Sequence, residues 1–339
     1  MDAARQSPHA KRQIMISLSC QARLSARKRL FARARHRHQL LTVFGTMALD
    51  TTRTPFRIEE RILGGAATFA SLAAGIFTKT AMVAAIGDDM PPANISALKK
   101  KGIDTKGIIA VKGGKTFHYD SSFDYNLSNR TTLKTELNVI ADFNPVIPDD
   151  YVKSEYVYLA NNDPKQNLKI LKLFDAPKLT VCDTIEYWIQ TARDDVVRMM
   201  SETDGVVIND SEARLLCDEV NIAKCAKKIV SLGPKFTIIK KGEHGAILFD
   251  SEGRVFPAVA FFLDDIVDPT GAGDSFAGGF LGHIARTGKT DFRTMKEAVI
   301  CGNVMGSFAV EDFGVRRLLA ITKDDVKARN EKYRSLVQF

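Results

Sequence analysis

The chain has 339 residues, 45% of them hydrophobic and 26% charged, which is an ordinary composition for a globular protein. No apolar run approaches the roughly 20 residues needed to cross a bilayer, so the composition excludes a membrane-spanning function. The five cysteines are scattered and show no Cys-x-x-Cys spacing. This argues against a disulfide framework or a zinc site, and it predicts a cytoplasmic protein.

The excess of positive charge lies at the N-terminus. Of the net charge of +8, residues 1–39 contribute +9, from ten Lys or Arg and one acidic residue, and the remaining 300 residues sum to −1. A basic segment of this kind is typical of a targeting peptide, an RNA-binding arm or a disordered extension. We expect a disordered extension over residues 1–39 and one domain over residues 40–339, with no nucleic-acid partner apart from this tail.

Apolar runs alternate with helical patterns along the rest of the chain. Residues 40–45 are typical of a buried strand ending in glycine, and Gly64-Gly65 opens an Ala-rich helix that runs through Ala74. A strand at 81–87 precedes a helix at 92–101, and further strands are predicted at 156–159, 179–182, 205–208 and 236–239. Continuous apolarity favours strands buried on both faces. We therefore predict an α/β fold with a doubly wound, mostly parallel central sheet and helices on both faces.

One segment, residues 112–138, breaks this rhythm. Its aromatic residues occupy odd positions, which is the periodicity of a strand with one aromatic face: Phe117, Tyr119, Phe123 and Tyr125. Polar residues fill the even positions between them: His118, Asp120, Ser122 and Asp124. The pattern predicts a small β-hairpin, which is either a lid or a half-buried edge that covers the core.

Residues 268–281 read Asp-Pro-Thr-Gly-Ala-Gly-Asp-Ser-Phe-Ala-Gly-Gly-Phe-Leu. Gly271, Ala272 and Gly273 bring bare backbone N–H groups to the start of a helix, where the helix dipole favours an anion. The carboxylate of Asp274 would repel a bound phosphate. Its presence is explained if it removes a proton from a hydroxyl that the phosphoryl group is about to join. The stretch therefore predicts phosphoryl transfer to a hydroxyl. The alternative is a glycine-rich turn whose Asp merely caps the helix.

The same stretch resembles the C-terminal signature of the ribokinase-like (PfkB) carbohydrate kinase family, Asp-x-Thr-small-small-Gly-Asp. Asp268, Thr270 and residues 271–274 fill its positions. The resemblance covers roughly residues 40–320. It implies a sugar kinase that uses ATP and Mg²⁺, with Asp274 as general base and the amides of residues 271–274 as the anion hole. It also implies that residues 112–138 form a β lid, which closes on the acceptor and in some members pairs with a second subunit.

Other positions match the family in order along the chain. The resemblance implies that Asp50 binds substrate hydroxyls and that Gly64 and Gly65 let the substrate approach. It assigns Asn209 and Glu212 to the phosphates and to Mg²⁺, held mainly through water, although Asn-x-x-Glu before a helix is also a capping box. On the nucleotide side it points to four residues, namely Lys240, Gly242, Gly245 and Asn303. Asp268 and Thr270 match positions that can serve a K⁺ ion, and Asp268 can equally fix the turn.

The function stays open among several alternatives at this point. A nucleoside kinase of the same fold is the first alternative to a sugar kinase, because the aromatic face of residues 117–125 could stack a base. A non-catalytic sugar-binding regulator is the second, although a pure binder needs no proton acceptor at Asp274. An RNA-binding protein would depend only on residues 1–39. The chain contains no Gly-x-x-x-x-Gly-Lys-[Ser/Thr] loop and no dinucleotide fingerprint, which disfavours P-loop and NAD-dependent enzymes.

Overall fold

The computed structural model describes residues 40–127 and 130–338. The segment 1–39 lies outside them, so the expectations for its structure and for the domain boundary stay predictions. Within the described ranges, no helix combines the length and the apolarity that a membrane crossing needs. The strands, in chain order, are β1 (Leu41–Phe44), β2 (Ala48–Arg53), β3 (Ile58–Gly64), β4 (Thr80–Ile86), β5 (Asp104–Ala110), β6 (His118–Phe123), β7 (Arg130–Glu136), β8 (Tyr156–Leu159), β9 (Leu179–Cys182), β10 (Gly205–Asn209), β11 (Phe236–Lys240), β12 (Ala246–Asp250) and β13 (Val255–Ala258).

The helices are distributed between the strands along the chain, and two short 3₁₀ turns cover Asn138–Ile140 and Gly242–His244. In chain order they are α1 (Ala66–Gly75), α2 (Pro92–Lys100), α3 (Asp149–Val152), α4 (Pro164–Leu171), α5 (Glu186–Thr191), α6 (Arg193–Ser201), α7 (Asp210–Cys217), α8 (Ile222–Ser231), α9 (Ala272–Thr287), α10 (Phe292–Ala309), α11 (Arg316–Ala320) and α12 (Lys323–Val337).

A nine-stranded sheet forms the centre, in the order β13-β12-β11-β10-β9-β8-β1-β4-β5. Neighbouring strands from β5 to β11 are parallel, and β12 and β13 are antiparallel additions at one edge. Every strand predicted outside the segment 112–138 is present in this sheet. The structure therefore confirms the doubly wound, mostly parallel prediction, and it adds β5, β12 and β13.

Both faces of the central sheet are buried. Val206 and Ile208 of β10 belong to one hydrophobic cluster, and Val207 between them belongs to the other. Helices α1, α9, α10 and α12 pack in the cluster with Val207, whereas α4 to α8 pack in the opposite one. A strand covered on two sides needs apolar residues at every position, which is why these strands read as continuous rather than alternating apolar runs.

The order of the strands places a crevice in the middle of the central sheet. From β1 the chain proceeds to β4 on one side, whereas from β8, on the other side of β1, it proceeds away to β9. In open α/β sheets, ligands bind at such a reversal, outside the carboxyl ends of the strands. Asp183 follows β9 directly, and Asn209 and Lys240 are the last residues of β10 and β11. The topology thus gathers polar residues at one edge of the sheet.

A second, four-stranded sheet has the order β3-β2-β6-β7. It contains the hairpin that the sequence predicts, as the antiparallel strands β6 and β7. The hairpin is joined by β2 and β3, which the sequence pattern does not reveal because they carry polar stretches such as Thr51-Thr52 and Glu59-Glu60-Arg61. Asp50 lies on β2. Apolar periodicity identifies a strand only where one of its faces is apolar.

The expected aromatic face of the hairpin is not continuous. Phe117 and Phe123 are buried, whereas 80% of the surface of Tyr125 is exposed. The pairing of β6 with β7 shifts by one residue after Asp120, and such a bulge re-aims the side chains around it. Dimerisation through this sheet stays a prediction.

Helices α1 and α9 contact each other backbone to backbone. A Cβ at Gly278 would collide with the carbonyl oxygen of Ala70, and one at Gly282 would lie 3.0 Å from the Cα of Ala74. Glycines four residues apart lie on one face of a helix, so this spacing gives α9 a smooth face toward α1. The contact holds the beginning of α9 close to Gly64-Gly65, which directly precede α1.

Candidate active site

Asp274 lies in the first turn of α9, whose N-cap residue is Gly271. Gly271 has φ +76°, and a Cβ there would collide with the ring of Phe69 on α1. No side chain among the described residues caps this helix end. The N–H of Ala272 donates to the carbonyl oxygen of Pro269 (3.3 Å), so the N–H groups that follow it and the positive end of the helix dipole are available to an anion.

The surroundings of Asp274 favour its protonated form. Removal from water, as the main cause, and the negative charge of Asp183 together raise the pKa of its carboxyl to about 7, against the opposing charges of Lys240 and Arg130. A general base works best when its pKa is near the operating pH. Asp274 therefore has a proton affinity suited to accepting a proton from a hydroxyl at neutral pH.

Lys240 reaches the same helix end. Its Nζ lies 2.8 Å from Asp183 Oδ2, and a Cβ at Gly273 would lie only 2.9 Å from this Nζ. The ammonium thus sits over the first turn of α9, beside the amides of the glycine-rich loop. The sequence assigns Lys240 to the nucleotide side, and the structure brings it to the loop of Asp274. Asp183 was missed, although its position directly after a buried strand was a signal.

Asp50 contacts the glycine pair that precedes α1. The backbone N–H of Gly65 donates to the carboxylate of Asp50, and a Cβ at Gly64 would overlap Asp50 Oδ2. Burial, as the main cause, and the charges of Asp268 and Asp274 together raise the pKa of Asp50 to about 7, against the hydrogen bond from Gly65. The absence of a side chain at Gly64 therefore creates the space in which the Asp50 carboxylate lies, close enough to Asp274 for the two charges to interact.

Asn209 and Glu212 form the capping box that the sequence allows at α7. Asn209 Oδ1 accepts a hydrogen bond from the N–H of Glu212 (2.7 Å), and Glu212 Oε2 accepts one from the N–H of Asn209 (3.0 Å). Burial, as the main cause, and the charge of Asp183 together raise the pKa of Glu212 to about 7, against the opposing charge of Lys240. Glu212 thus caps its helix and also faces the charges at the site, so the two interpretations are compatible.

Asp268 fastens the loop that carries Gly271. It is fully buried, and its oxygens accept hydrogen bonds from the N–H groups of Thr270 (2.9 Å) and Gly314 (3.1 Å). Burial raises its pKa nonetheless. These bonds show the turn-fixing role that the sequence left as an alternative to a K⁺ ligand.

The remaining residues predicted on the nucleotide side meet at a different place. A Cβ at Gly245 would collide with the carbonyl oxygen of Ala258, and Asn303 Nδ2 donates to the carbonyl oxygen of Val259 (2.7 Å). Both therefore contact the segment that follows β13. Gly242 opens the 3₁₀ turn of this region, with open space around it. The predicted site residues thus form two groups, one around Asp274 and one around Val259.

Metal-binding side chains are sparse. Across residues 40–127 and 130–338, no group of three or more His, Cys, Asp or Glu could hold a metal ion. Mg²⁺ in phosphoryl-transfer sites needs only one or two carboxylates, because waters and substrate phosphates supply its other ligands. A single carboxylate such as that of Glu212 fits this need.

A family model described as "pfkB family carbohydrate kinase" matches residues 41–321 of the chain. The chain belongs to this family. The protein is accordingly a kinase, an enzyme that transfers a phosphoryl group to an alcohol group of its substrate, as the sequence predicts. Because the match covers both the Asp50 region and the Asp274 loop, the pfkB assignment does not depend on one motif.

Individual relatives of this pfkB kinase are named as nucleoside kinases. The chain is 29% identical to a cytidine kinase of Thermococcus kodakarensis over 73% of its own length and 88% of that protein. It is 25% identical to a nucleoside kinase of Methanothermobacter thermautotrophicus over 81% of its own length and 87% of that protein. The crystal structure of Methanocaldococcus jannaschii nucleoside kinase matches its fold with a TM-score of 0.70 at 21% identity, covering 87% of this chain and 98% of the other.

The contact between Gly64 and Asp50 leads to a prediction for this pfkB kinase. Gly64→Ala is expected to displace the Asp50 carboxylate and to raise KM for the acceptor by about 10–100-fold, because a hydrogen bond to a charged group contributes about 1.5–3 kcal/mol. Initial rates at varied acceptor concentration would measure the effect. KM for ATP serves as the internal control and is expected to stay unchanged. An unaltered acceptor KM would show that Asp50 does not hold the acceptor.

Proposed function

We propose that this pfkB kinase transfers the γ-phosphoryl group of ATP to a sugar hydroxyl of a nucleoside. The observation that carries the proposal is the meeting of a carboxylate with raised proton affinity, Asp274, and an ammonium, Lys240, at the uncapped beginning of α9. A proton acceptor and an anion-binding helix end are the two parts that transfer to a hydroxyl needs. The similarity to named cytidine and nucleoside kinases favours a nucleoside over a free sugar.

The roles of the residues follow from their positions. Asp274 accepts the proton of the attacking hydroxyl, and the N–H groups of residues 271–274, together with Lys240, stabilise charge on the phosphoryl group in transit. Asp50 holds the acceptor. Glu212 would hold Mg²⁺ through water, and this ion would neutralise charge on the β- and γ-phosphates of ATP.

The small sheet supplies a positive charge to the site. Arg130, the first residue of β7, lowers the pKa values of Asp50, Glu212 and Asp274, so its charge acts on all three carboxyls. A lid that closes over a phosphoryl-transfer site excludes water, which otherwise competes as the acceptor. Because the charge of Arg130 acts on the carboxyls of the site, we propose that the sheet formed by β2, β3, β6 and β7 is this lid.

An acceptor screen tests the proposal. ADP release by the full chain with ATP and Mg²⁺ would be followed across purine and pyrimidine nucleosides and free sugars, with and without K⁺. We expect turnover on at least one nucleoside, and a kcat/KM for it above that of ribose. Turnover on free sugars alone would make the protein a sugar kinase. No turnover on any acceptor would favour the sugar-binding regulator and contradict the proposal.

Potassium dependence is a second outcome of the same screen. Each oxygen of Asp268 accepts a hydrogen bond from one amide N–H, and a carboxylate oxygen can hold a further ligand, so a monovalent cation beside this loop is compatible with the geometry. Activation by K⁺ and not by Na⁺ would support a cation that orders the loop. Equal rates in both salts would leave Asp268 as a purely structural clamp.

A further inference from the structure

A buried ion pair lies at the carboxyl edge of the central sheet. Lys240 Nζ and Asp183 Oδ2 are 2.8 Å apart, and their side chains are only 14% and 4% exposed. Asp183 is itself held, since its Oδ1 accepts the N–H of Thr184 (2.8 Å) and its Oδ2 accepts the hydroxyl of Tyr158 (3.2 Å). Its carboxylate therefore has one fixed orientation, and Lys240 is the partner that extends toward α9.

The position of the ammonium needs an explanation. Lys240 Nζ lies beside Gly273, in the first turn of α9. A cation at the N-terminus of a helix is repelled by the helix dipole and by the N–H groups that point toward it. Removing an ammonium from water adds a further cost. The carboxylate of Asp183 compensates for both, and without it we expect the flexible lysine side chain to leave this place.

We infer that Asp183 is a positioning residue for phosphoryl transfer: it holds the ammonium of Lys240 beside the amide of Gly273, where that ammonium binds the phosphoryl group in transit. The inference rests on the proposed function. Lys240 touches the reacting group in this arrangement, whereas Asp183 acts through Lys240. Tyr158 and Thr184 orient Asp183 in turn.

A double-mutant cycle tests whether Asp183 acts through Lys240. Lys240→Met is expected to lower kcat by about 10²–10³-fold, the effect of losing one preorganised donor to a developing anion. Asp183→Asn is expected to lower kcat by about 10–100-fold, because the ammonium is then misplaced. In the Lys240→Met background, Asp183→Asn should have no further effect on kcat when the rates are compared on the alkaline plateau of each pH profile, where Asp274 is ionised. If the double variant instead lost the product of the two single losses in kcat, the inference would be overturned.

A pH profile provides a readout that a merely structural role would not move. Asp274 is faced by Asp183 after β9, Lys240 at the end of β11, Arg130 of β7 and Asp50 of β2, and its charge also acts on Tyr158 of β8. The negative charge of Asp183 raises the pKa of Asp274 more than the ammonium of Lys240 lowers it, so a variant that loses the charge of Asp183 and displaces Lys240 should still have a lower pKa at Asp274. The acid limb of kcat/KM, expected near pH 7 in the wild type, should therefore move to lower pH in Asp183→Asn.

Tyr158→Phe is the matched control, because it removes one hydrogen bond to Asp183 and keeps the charge. It should lower kcat less than Asp183→Asn does, and it should leave the acid limb in place. The double variant removes both members of the Lys240–Asp183 ion pair and so leaves neither charge without its partner. It can therefore be compared with whichever single variant folds. Circular dichroism of each variant checks folding. Turnover of the wild type separates the proposed function from this inference. A wild type without activity would contradict the proposed function. An active wild type together with a fully active Asp183→Asn would contradict only the inference.

Discussion

Asp274→Asn is expected to lower kcat by about 10²–10⁴-fold, the contribution that general-base catalysis typically makes. Asn has the shape of Asp and cannot accept the proton of the attacking hydroxyl. The anion-binding amides of α9 are unaffected by the change, so KM for ATP should vary little. Steady-state kinetics of ADP release on the best acceptor would measure both constants.

The control for this variant tests whether Asp274 does more for turnover than an aspartate at the beginning of another helix. Asp291 occupies the N-cap of α10, where its Oδ1 accepts the N–H of Thr294 (3.1 Å), and it lies outside both groups of site residues. Asn is as good an N-cap as Asp, so Asp291→Asn should leave kcat and stability nearly unchanged. If Asp274→Asn behaved like Asp291→Asn, Asp274 would have no catalytic role.

The thermal stability of Asp274→Asn should show that the variant loses activity while it remains folded. The pKa of Asp274 is about 7 in the folded protein and near 3.8 when exposed, so between these values the folded state holds a proton that the unfolded state releases. This group therefore contributes stability at pH below about 4, and the contribution is lost as the pH rises to about 7. At pH 8 the variant, which has no charge to bury, should unfold at the wild-type temperature or above it.

Gly271→Ala is expected to have the second largest effect, on both stability and turnover. The left-handed conformation at φ +76° disfavours Ala by about 1–2 kcal/mol. The new Cβ would also collide with the ring of Phe69, and overpacking of this kind costs about 1–3 kcal/mol more. Relief of the collision must move the loop that carries Asp274. A displacement of about 1 Å at a reacting group lowers the rate by about 10²-fold.

Gly113→Ala is a control that separates the cost of a left-handed backbone conformation from the cost of the collision with Phe69. Gly113 has the same φ of +76°, and nothing lies within 4 Å of a Cβ built there. It should lose only the conformational term of about 1–2 kcal/mol and keep its kcat. Thermal unfolding and kcat of both variants provide the comparison. An equal loss of stability in the two variants, with full activity in Gly271→Ala, would show that Phe69 does not hold the loop in place.

The two kinds of strand in this protein differ in how far their sequence reveals them. Strands such as β10 have apolar residues at successive positions because both of their faces are buried, so Val206-Val207-Ile208 alone predicts a central strand. Strands β2 and β3 pair with each other and with the hairpin in a sheet that carries many polar residues. Their pairing depends on distant partners, so local apolarity could not reveal them.

The sequence by itself determined the reaction class and the central fold, because both are written in local patterns. A Gly-Ala-Gly-Asp turn before an apolar helix predicts an anion site with a proton acceptor from neighbouring residues alone. Only the tertiary structure decided which charges act on that acceptor. Asp183, Lys240 and Arg130 come from separate strands or strand ends, and their effect on Asp274 depends on distance and burial in space rather than on position along the chain.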